Sequence, residues 1–118
     1  MQVMSSNVAV QRQMRRPLQA AVQDAVQRVI EAVHPDKVIL FGSAARGDAA
    51  TTHDIDLLVI KKGAHRRRMA ATLYQRMIGV GWPVDIVVVT PEDVARYGHS
   101  PALVIEPALR EGKVLYAA

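Results

Sequence analysis

The stretch that decides the fold reads VILFGSAARGD over residues 38–48 and DIDLLVI over residues 54–60. Its first four residues are apolar, β-branched or large, and a glycine follows them, a pattern that predicts a buried strand. The residues from Gly42 to Arg46 are typical of a tight turn that enters a short helix. Because the first N–H groups of a helix have no partner within the helix, this turn is expected to attract an anion.

Two aspartates open the second apolar run. Asp54 and Asp56 are two residues apart, and successive side chains of a strand point to opposite faces. We therefore expect both carboxylates on one face, with their Cα atoms roughly 6.5–7 Å apart. The anion-binding turn and the carboxylate pair would then lie side by side at neighbouring strand ends. The stretch predicts a site for a metal-bound nucleotide.

A third carboxylate, Asp85, interrupts the apolar run VDIVVVT at residues 84–90. Burying an unpaired carboxylate is costly, which favours a functional role. If the strands that carry Asp54 and Asp85 are neighbours, three carboxylates converge and repel one another unless cations intervene. Magnesium prefers oxygen ligands and shares them with substrate phosphates. Two such ions about 3.5–4 Å apart would stabilise the attacking and leaving oxygens of a displacement at phosphorus.

The composition indicates one ordinary domain. The chain has 118 residues, half of them hydrophobic, and no cysteine. Disulfides and thiolate metal sites are thereby excluded, and a reducing compartment is compatible with the sequence. No apolar run approaches the roughly 20 residues of a membrane span, and the N-terminus lacks the apolar core of a signal peptide. We expect a soluble, cytoplasmic protein.

Positive charge is unevenly distributed along the chain, whose formal net charge is +4. The basic residues concentrate in two clusters, which comprise Arg12, Arg15 and Arg16 in the first and Lys61, Lys62, Arg66, Arg67 and Arg68 in the second. Such clusters favour a triphosphate, RNA or an acidic protein as partner. The ordinary alternative is a solvent-exposed helix end.

Apolar periodicity divides the rest of the chain into helices and strands. Residues 1–16 are weakly patterned, and the domain is expected to occupy residues 17–118. Amphipathic helices are predicted over residues 17–33 and 65–80, and a short one from Pro91. A last helix near residues 102–111 should be kinked or split by Pro107, and residues 113–116 resemble a closing strand. The alternation predicts an α/β fold with a mixed sheet of about four strands, flanked by helices on both faces.

The order of these motifs carries a family resemblance. Gly42-Ser43, ten intervening residues, Asp54-x-Asp56 and a later strand aspartate, Asp85, resemble the DNA polymerase β-like nucleotidyltransferase superfamily. The strings FGSAARGD, DIDLLV and LREGKVLY, at residues 41–48, 54–59 and 109–116, are similar to its minimal nucleotidyltransferase (MNT) branch. The resemblance covers the chain from about residue 17 onward and implies a single palm-like nucleotidyltransferase domain.

The resemblance also implies residue roles. Gly42, Ser43 and Arg46 would hold the triphosphate of ATP. Asp54 and Asp56 would bind two magnesium ions. Asp85 would bind the catalytic ion and assist deprotonation of an acceptor hydroxyl.

A partner follows from the same resemblance. MNT proteins are commonly encoded beside a HEPN-domain ribonuclease toxin, which they neutralise as antitoxins. Some of them transfer AMP from ATP to a tyrosine of that toxin. We therefore expect a HEPN toxin as partner, and a homodimer or a hetero-oligomer rather than a lone monomer. Direct binding of nucleic acid is less expected.

Other interpretations stay open from the sequence. The fold could neutralise its partner by masking it without catalysis, or act on a small molecule or RNA, although a separate acceptor domain is missing. His53, where the MNT branch often has serine, is expected to face solvent or to bond within its loop. Trp82 is expected to pack in a core or interface rather than on a base. Nothing in the sequence selects Tyr74, Tyr97 or Tyr116 as a modification target.

Overall fold

The computed structural model describes residues 16–100 and 103–118. The expectation for residues 1–15, which include Arg12 and Arg15, lies outside the described residues. The described residues form nine elements, which in chain order are α1 Leu18–Val33, β1 Lys37–Phe41, α2 Gly42–Ala45, β2 Ile55–Ile60, α3 Arg66–Arg76, β3 Val84–Val89, α4 Pro91–Tyr97, α5 Ile105–Glu111 and β4 Lys113–Ala117.

The four strands form one mixed sheet in the order β3-β2-β1-β4. β1 is antiparallel to both of its neighbours, β2 and β4, whereas β2 and β3 are parallel. Parallel neighbours need a long crossover, and α3 forms the middle of the crossover between β2 and β3. The predicted α/β fold with a mixed four-stranded sheet is confirmed.

Helices cover both faces of this sheet, as predicted. The larger core lies under α1 and α3 and contains Leu57 and Val59 of β2. A smaller core on the other face contains Leu58 and Ile60, which pack against Ile105 of α5. Because strand side chains alternate between faces, Asp56 projects on the face of the smaller core.

The second long helix is shorter than predicted. α3 ends at Arg76 instead of continuing to Val80, and the chain proceeds through turns. Gly79, three residues after the end of α3, has a φ of +94°, a left-handed conformation through which a helix cannot continue. At the other end, the His65 ring accepts a hydrogen bond from Arg68 N at 3.2 Å and caps the helix.

The prediction that Pro107 kinks or splits the last helix is wrong. Residues 101 and 102 lie outside the described part of the chain, and α5 begins at Ile105. Pro107 therefore occupies the first turn. Backbone N–H groups in that turn have no helical partner, so a residue without an N–H is accommodated there.

Within the described residues, no helix combines the length and the apolar character that a membrane span requires.

Candidate active site

The turn between β1 and α2 brings the backbone into contact with an acidic side chain. β1 ends at Phe41, and Gly42 follows with a φ of +69°, a conformation that favours glycine. A Cβ atom built on Gly42 would collide with Oδ2 of Asp56. Gly42 is therefore required both by its backbone conformation and by the space that the Asp56 carboxylate occupies.

Three carboxylates converge beside this turn, and we call Asp54, Asp56 and Asp85 the acid triad. Asp56 of β2 lies opposite Asp85 of β3 in the parallel register. Asp54 comes one residue before β2 begins, rather than inside the strand as predicted. One oxygen from each carboxylate lies within 4.8 Å of the others. Asp54 and Asp56 are partly buried, while Asp85 is exposed.

No cation of the described residues forms an ion pair with the acid triad. Burial, and then the charges of Asp54 and Asp85, raise the pKa of Asp56 to about 6. A hydrogen bond with Asp54, followed by burial and the charge of Asp54, raises the pKa of Asp85. The triad therefore carries its full negative charge only at an electrostatic cost, which a bound cation would remove.

The donor set fits a hard divalent cation. Its three groups are carboxylates, without a histidine or a thiolate in the cluster. Magnesium and calcium prefer oxygen ligands, and magnesium commonly uses one to a few carboxylates and completes its shell with water and substrate phosphates. The residues present are therefore suited to hold magnesium together with a nucleotide.

Ser43 and Arg46 lie on the same turn as Gly42. Arg46 N donates to Ser43 O at 3.1 Å, which closes the short helix α2. Across residues 16–100 and 103–118, neither the Ser43 hydroxyl nor the Arg46 guanidinium has a hydrogen-bond or ion-pair partner, and Arg46 is exposed. Both groups are available to a phosphate, and their role as nucleotide ligands stays a prediction.

The loop that leads to Asp54 and β2 is held in shape by hydrogen bonds within the loop. Thr52 is buried, and its hydroxyl donates to Asp48 O at 2.6 Å. The Asp48 carboxylate accepts from Ala50 N at 3.0 Å, an Asx-type turn. These hydrogen bonds shape the chain between α2 and Asp54. The role of Thr52 could not be predicted, since a threonine in a polar loop carries no distinctive signal.

The second basic cluster lies away from the acid triad. Residues 61–68 follow the C-terminal end of β2, whereas Asp54 and Asp56 lie at its N-terminal end. The six residues of β2 separate the two ends by roughly 20 Å. Within the cluster, Arg66 forms an ion pair with Asp93 at 3.1 Å. Of the first cluster, Arg16 forms an ion pair with Asp24 at 2.7 Å.

Two other sequence interpretations agree with the structure. His53 is exposed in the loop before Asp54. Trp82 is buried in the larger core, and its Nε1 donates to Arg16 O at 2.7 Å. Trp82 thus joins the chain before β3 to the start of α1.

A feature without a sequence signal is the contact of Tyr74 with β3. Ile86 N donates to the Tyr74 hydroxyl oxygen at 3.0 Å. Ile86 directly follows Asp85, so this contact lies one residue from the acid triad. Tyrosines are common in helices, and neither spacing nor composition indicates which backbone group such a hydroxyl reaches.

One member of the acid triad is accessible from the surface, since Asp85 is exposed. A groove of about 920 Å³ runs along α1 and β4 and reaches Ala44 and Gly47 near the Gly42 turn, and none of the three carboxylates lines this groove.

Comparison with known proteins bears on this geometry. The model of the family described as "Polymerase beta, Nucleotidyltransferase" matches residues 24–118. No curated protein sequence matches the chain. A crystal structure of a candidate nucleotidyltransferase from Sulfolobus solfataricus superposes with a TM-score of 0.56 and 24% sequence identity, covering 86% of this chain and 81% of that one. At that identity the structural likeness shows the fold alone.

Proposed function

The chain belongs to the polymerase β nucleotidyltransferase family, and from this premise we propose that it is a magnesium-dependent adenylyltransferase that acts as an antitoxin. It transfers AMP from ATP to a hydroxyl, in the first instance that of a tyrosine, on a HEPN-domain ribonuclease toxin. The observation that carries the proposal is the convergence of Asp54, Asp56 and Asp85 beside the Gly42 turn.

Each side chain of the site has a task in this proposal. Asp54 and Asp56 hold two magnesium ions, and Asp85 shares one of them. The Gly42 turn offers backbone N–H groups to the triphosphate, the Ser43 hydroxyl donates to a phosphate oxygen, and Arg46 pairs with phosphate charge. Bound magnesium neutralises the carboxylates and stabilises negative charge on the reacting phosphate.

The proposed reaction forms one bond to phosphorus, breaks one bond to phosphorus and moves one proton. The acceptor hydroxyl oxygen attacks the α-phosphorus of ATP, and the bond from that phosphorus to the oxygen bridging to the β-phosphate breaks. Pyrophosphate leaves with the electron pair of that bond. The hydroxyl proton passes to the Asp85 carboxylate, which is exposed on the edge strand and faces an incoming acceptor.

The exposure of Asp85 supports a macromolecular acceptor. An enzyme for a small acceptor needs a pocket that orients it, because pockets bury most of a small ligand's surface. In the described part of the chain, the groove of about 920 Å³ is not lined by any carboxylate of the acid triad. A folded partner can instead present its own hydroxyl in a fixed orientation when its surface docks. The proposal places this encounter in the cytoplasm, in a complex of the two proteins.

Mass spectrometry tests the proposal. The product of the neighbouring gene is incubated with this protein, ATP and magnesium, and its intact mass is measured. A gain of one or more AMP units is expected with wild type and not with Asp56→Asn. Asp24→Asn serves as a matched control, because it makes the same chemical change outside the acid triad and should retain transfer.

The other outcomes identify the alternatives. A stable complex of the two proteins without a mass gain would overturn the transferase and indicate an antitoxin that masks its partner. If Asp54→Asn, Asp56→Asn and Asp85→Asn variants all neutralise the toxin in cells as well as wild type does, masking is again the better explanation. Transfer of label from ATP to tRNA or to an aminoglycoside, but not to the toxin, would replace the proposed substrate.

A further inference from the structure

The site proposed above depends on the position of β3, which lies at one end of the sheet. β3 pairs with β2 on its inner side, and no strand of the described residues pairs with its outer side. Asp85 is carried by this strand. An edge strand is held less firmly than a central one, because half of its backbone groups have no strand partner. Whatever secures the outer side of β3 therefore also secures Asp85.

Tyr74 provides a hydrogen bond on that outer side. Its hydroxyl oxygen accepts from Ile86 N at 3.0 Å, and the bond is partly buried. Since backbone groups along a strand alternate in direction, an Ile86 N–H that reaches Tyr74 points away from β2. The backbone around Asp85 is thus held by β2 on one side and by a tyrosine hydroxyl on the other.

The side chain of Tyr74 is anchored well enough to act in this way. Tyr74 lies in the last turns of α3, next to Leu73, which is fully buried in the larger core. The larger core contains Ile86 on β3, so helix and strand pack through their buried residues. By contrast, Tyr74 as a whole residue is 45% exposed. Its ring therefore contributes less burial than Leu73 does, while its hydroxyl has a defined partner.

Tyr74 cannot act on the reacting groups directly. Ile86 and Val88 face the larger core, under α3, whereas Asp85 faces the other side of the sheet because strand side chains alternate. The Tyr74 hydroxyl approaches β3 from the α3 side. Its influence on Asp85 must pass through the backbone of the strand.

We infer that Tyr74 is a positioning residue that holds Asp85 at the distance from Asp54 and Asp56 that a shared divalent cation requires. The inference rests on the proposed function, since it assumes that the acid triad binds metal. Losing the hydroxyl leaves Ile86 N–H without its protein partner and removes a contact that holds β3 beside Asp85, so the position of Asp85 relative to Asp54 and Asp56 becomes less fixed. The expected consequence is weaker binding of the metal, with the nucleotide-binding turn unaffected.

Tyr74→Phe tests this inference, because it removes the hydroxyl and keeps the ring. Three quantities are measured: the hydrogen-exchange rate of the Ile86 amide, the affinity for Mg²⁺ without nucleotide by calorimetry, and the Mg²⁺ and ATP dependence of AMP transfer. We expect faster exchange at Ile86 and a Mg²⁺ affinity lower by about 3- to 10-fold, the range that one neutral hydrogen bond supplies. The half-saturating Mg²⁺ concentration should rise by a similar factor while the KM for ATP stays unchanged.

Tyr97→Phe is the matched control. Tyr97 lies in α4 against the smaller core, with Arg96 over its ring at 5.9 Å. Removing its hydroxyl should leave all three measurements at their wild-type values. Thermal unfolding of each variant fixes an assay temperature at which all of them are folded.

The outcomes separate this inference from the function on which it rests. Wild-type Mg²⁺ affinity and Mg²⁺ dependence in Tyr74→Phe would overturn the positioning role, even if Ile86 exchanged faster. A raised KM for ATP with unchanged Mg²⁺ affinity would do the same. If wild type and Asp56→Asn both fail to bind Mg²⁺, the proposed function itself is overturned, and the positioning role falls with it.

Discussion

Aspartates in two regions of this molecule have opposite electrostatic surroundings. At the α1–α3 junction, formed by Arg16, Asp24 and Arg28, Arg28 donates to Asp24 at 2.9 Å and Arg16 donates at 2.7 Å. These two hydrogen bonds, that from Arg28 first, lower the pKa of Asp24. In the acid triad, the neighbours of each carboxylate are other carboxylates, and the pKa of Asp56 rises to about 6.

The difference separates an acid that is paired with cations within the fold from acids that lie among other acids. Arg28 also donates to Arg76 O at 3.0 Å and to Ile78 O at 2.6 Å, so the junction joins α1 to the turn after α3. Charge is balanced there by the chain itself. Across residues 16–100 and 103–118, no cation pairs with the acid triad. Folding explains the first arrangement, and we propose that a bound cation balances the second.

The largest expected effect comes from exchanging one aspartate in each region for asparagine. With the proposed activity, Asp56→Asn should lower the rate of AMP transfer by at least about 1,000-fold, because it removes a charge that would hold the metal. Asp24→Asn should leave transfer within about twofold of wild type, since it touches no group of the site. Rates of AMP incorporation at saturating ATP and Mg²⁺ provide the measurement. Comparable losses of AMP transfer in both variants would show that the two aspartates do not differ in their importance for the reaction.

A smaller effect, on Mg²⁺ binding, is expected when either of two glycines with similar backbone conformations is replaced by alanine. Gly42 and Gly47 have φ angles of +69° and +77°, so alanine at either position costs about 1–2 kcal/mol of unfolding free energy. Only at Gly42 does the new Cβ also collide with Asp56, because the space at Gly47 is open. Gly42→Ala should therefore weaken Mg²⁺ binding by about 10- to 100-fold, and Gly47→Ala should not. Calorimetric titration with Mg²⁺ decides between them, and equal affinities would show that Gly42 does not shape the metal site.

The two regions should also respond with opposite signs when stability is measured without divalent cations at neutral pH. Asp24→Asn should lower the free energy of unfolding by about 1 kcal/mol, as partly exposed charge-assisted hydrogen bonds are lost. Asp56→Asn should raise it by about 1 kcal/mol, a value reduced for the partial exposure of the side chain, because repulsion within the triad is relieved. Urea unfolding in the presence of a chelator measures both. Destabilisation by Asp56→Asn under these conditions would show that the triad is not electrostatically strained.

The smallest expected effect is a pH dependence of the free energy of unfolding, which the repulsion within the acid triad causes. A carboxyl whose pKa is raised by folding binds a proton more readily in the folded chain than in the unfolded one. The free energy of unfolding therefore falls as the pH rises from about 4 to 6, the window between the unfolded and folded values. The raised pKa of Asp85 adds to the fall, whereas the lowered pKa of Asp24 acts at more acidic pH and in the opposite direction.

Wild type should accordingly lose about 0.5–1 kcal/mol more than Asp56→Asn across this window. Thermal unfolding at several pH values, with and without Mg²⁺, measures the difference. Saturating Mg²⁺ should abolish it at the upper end, because the metal binds the ionised carboxylates. A wild-type curve parallel to that of Asp56→Asn would contradict the raised pKa.

Local patterns were sufficient to predict the strands and the identity of the acids. The apolar runs at residues 38–41, 54–60 and 84–90 predicted β1, β2 and β3, since buried strands of this kind read as continuous apolar stretches. Asp85 was identified because a carboxylate in such a run is costly. The spacing of Asp54 and Asp56 predicted their shared side, although Asp54 precedes the strand.

Relations between distant segments could not be predicted in the same way. The register that sets Asp56 opposite Asp85 depends on which strands are neighbours and with what offset, and both depend on the packing of α3. The same holds for the bond from Ile86 to Tyr74 and for the distance between residues 61–68 and the acids. Pro107 was misjudged because its effect depends on where the helix begins, and helix ends are poorly specified by local sequence.

Asp56 and Asp85 lie opposite each other on neighbouring strands. The site is therefore sensitive to whether an odd or an even number of residues is added within a strand before its aspartate, and much less to the length of the chain between the strands. Residues added to the turns on either side of α3 lengthen a surface connection and leave both carboxylates where they are. One residue added within β3 before Asp85 would turn that carboxylate toward the larger core and an apolar side chain toward the metal. Over evolutionary time, chains of this kind can change freely in the crossover, whereas their two acid-bearing strands can change length ahead of the acids only in steps of two residues.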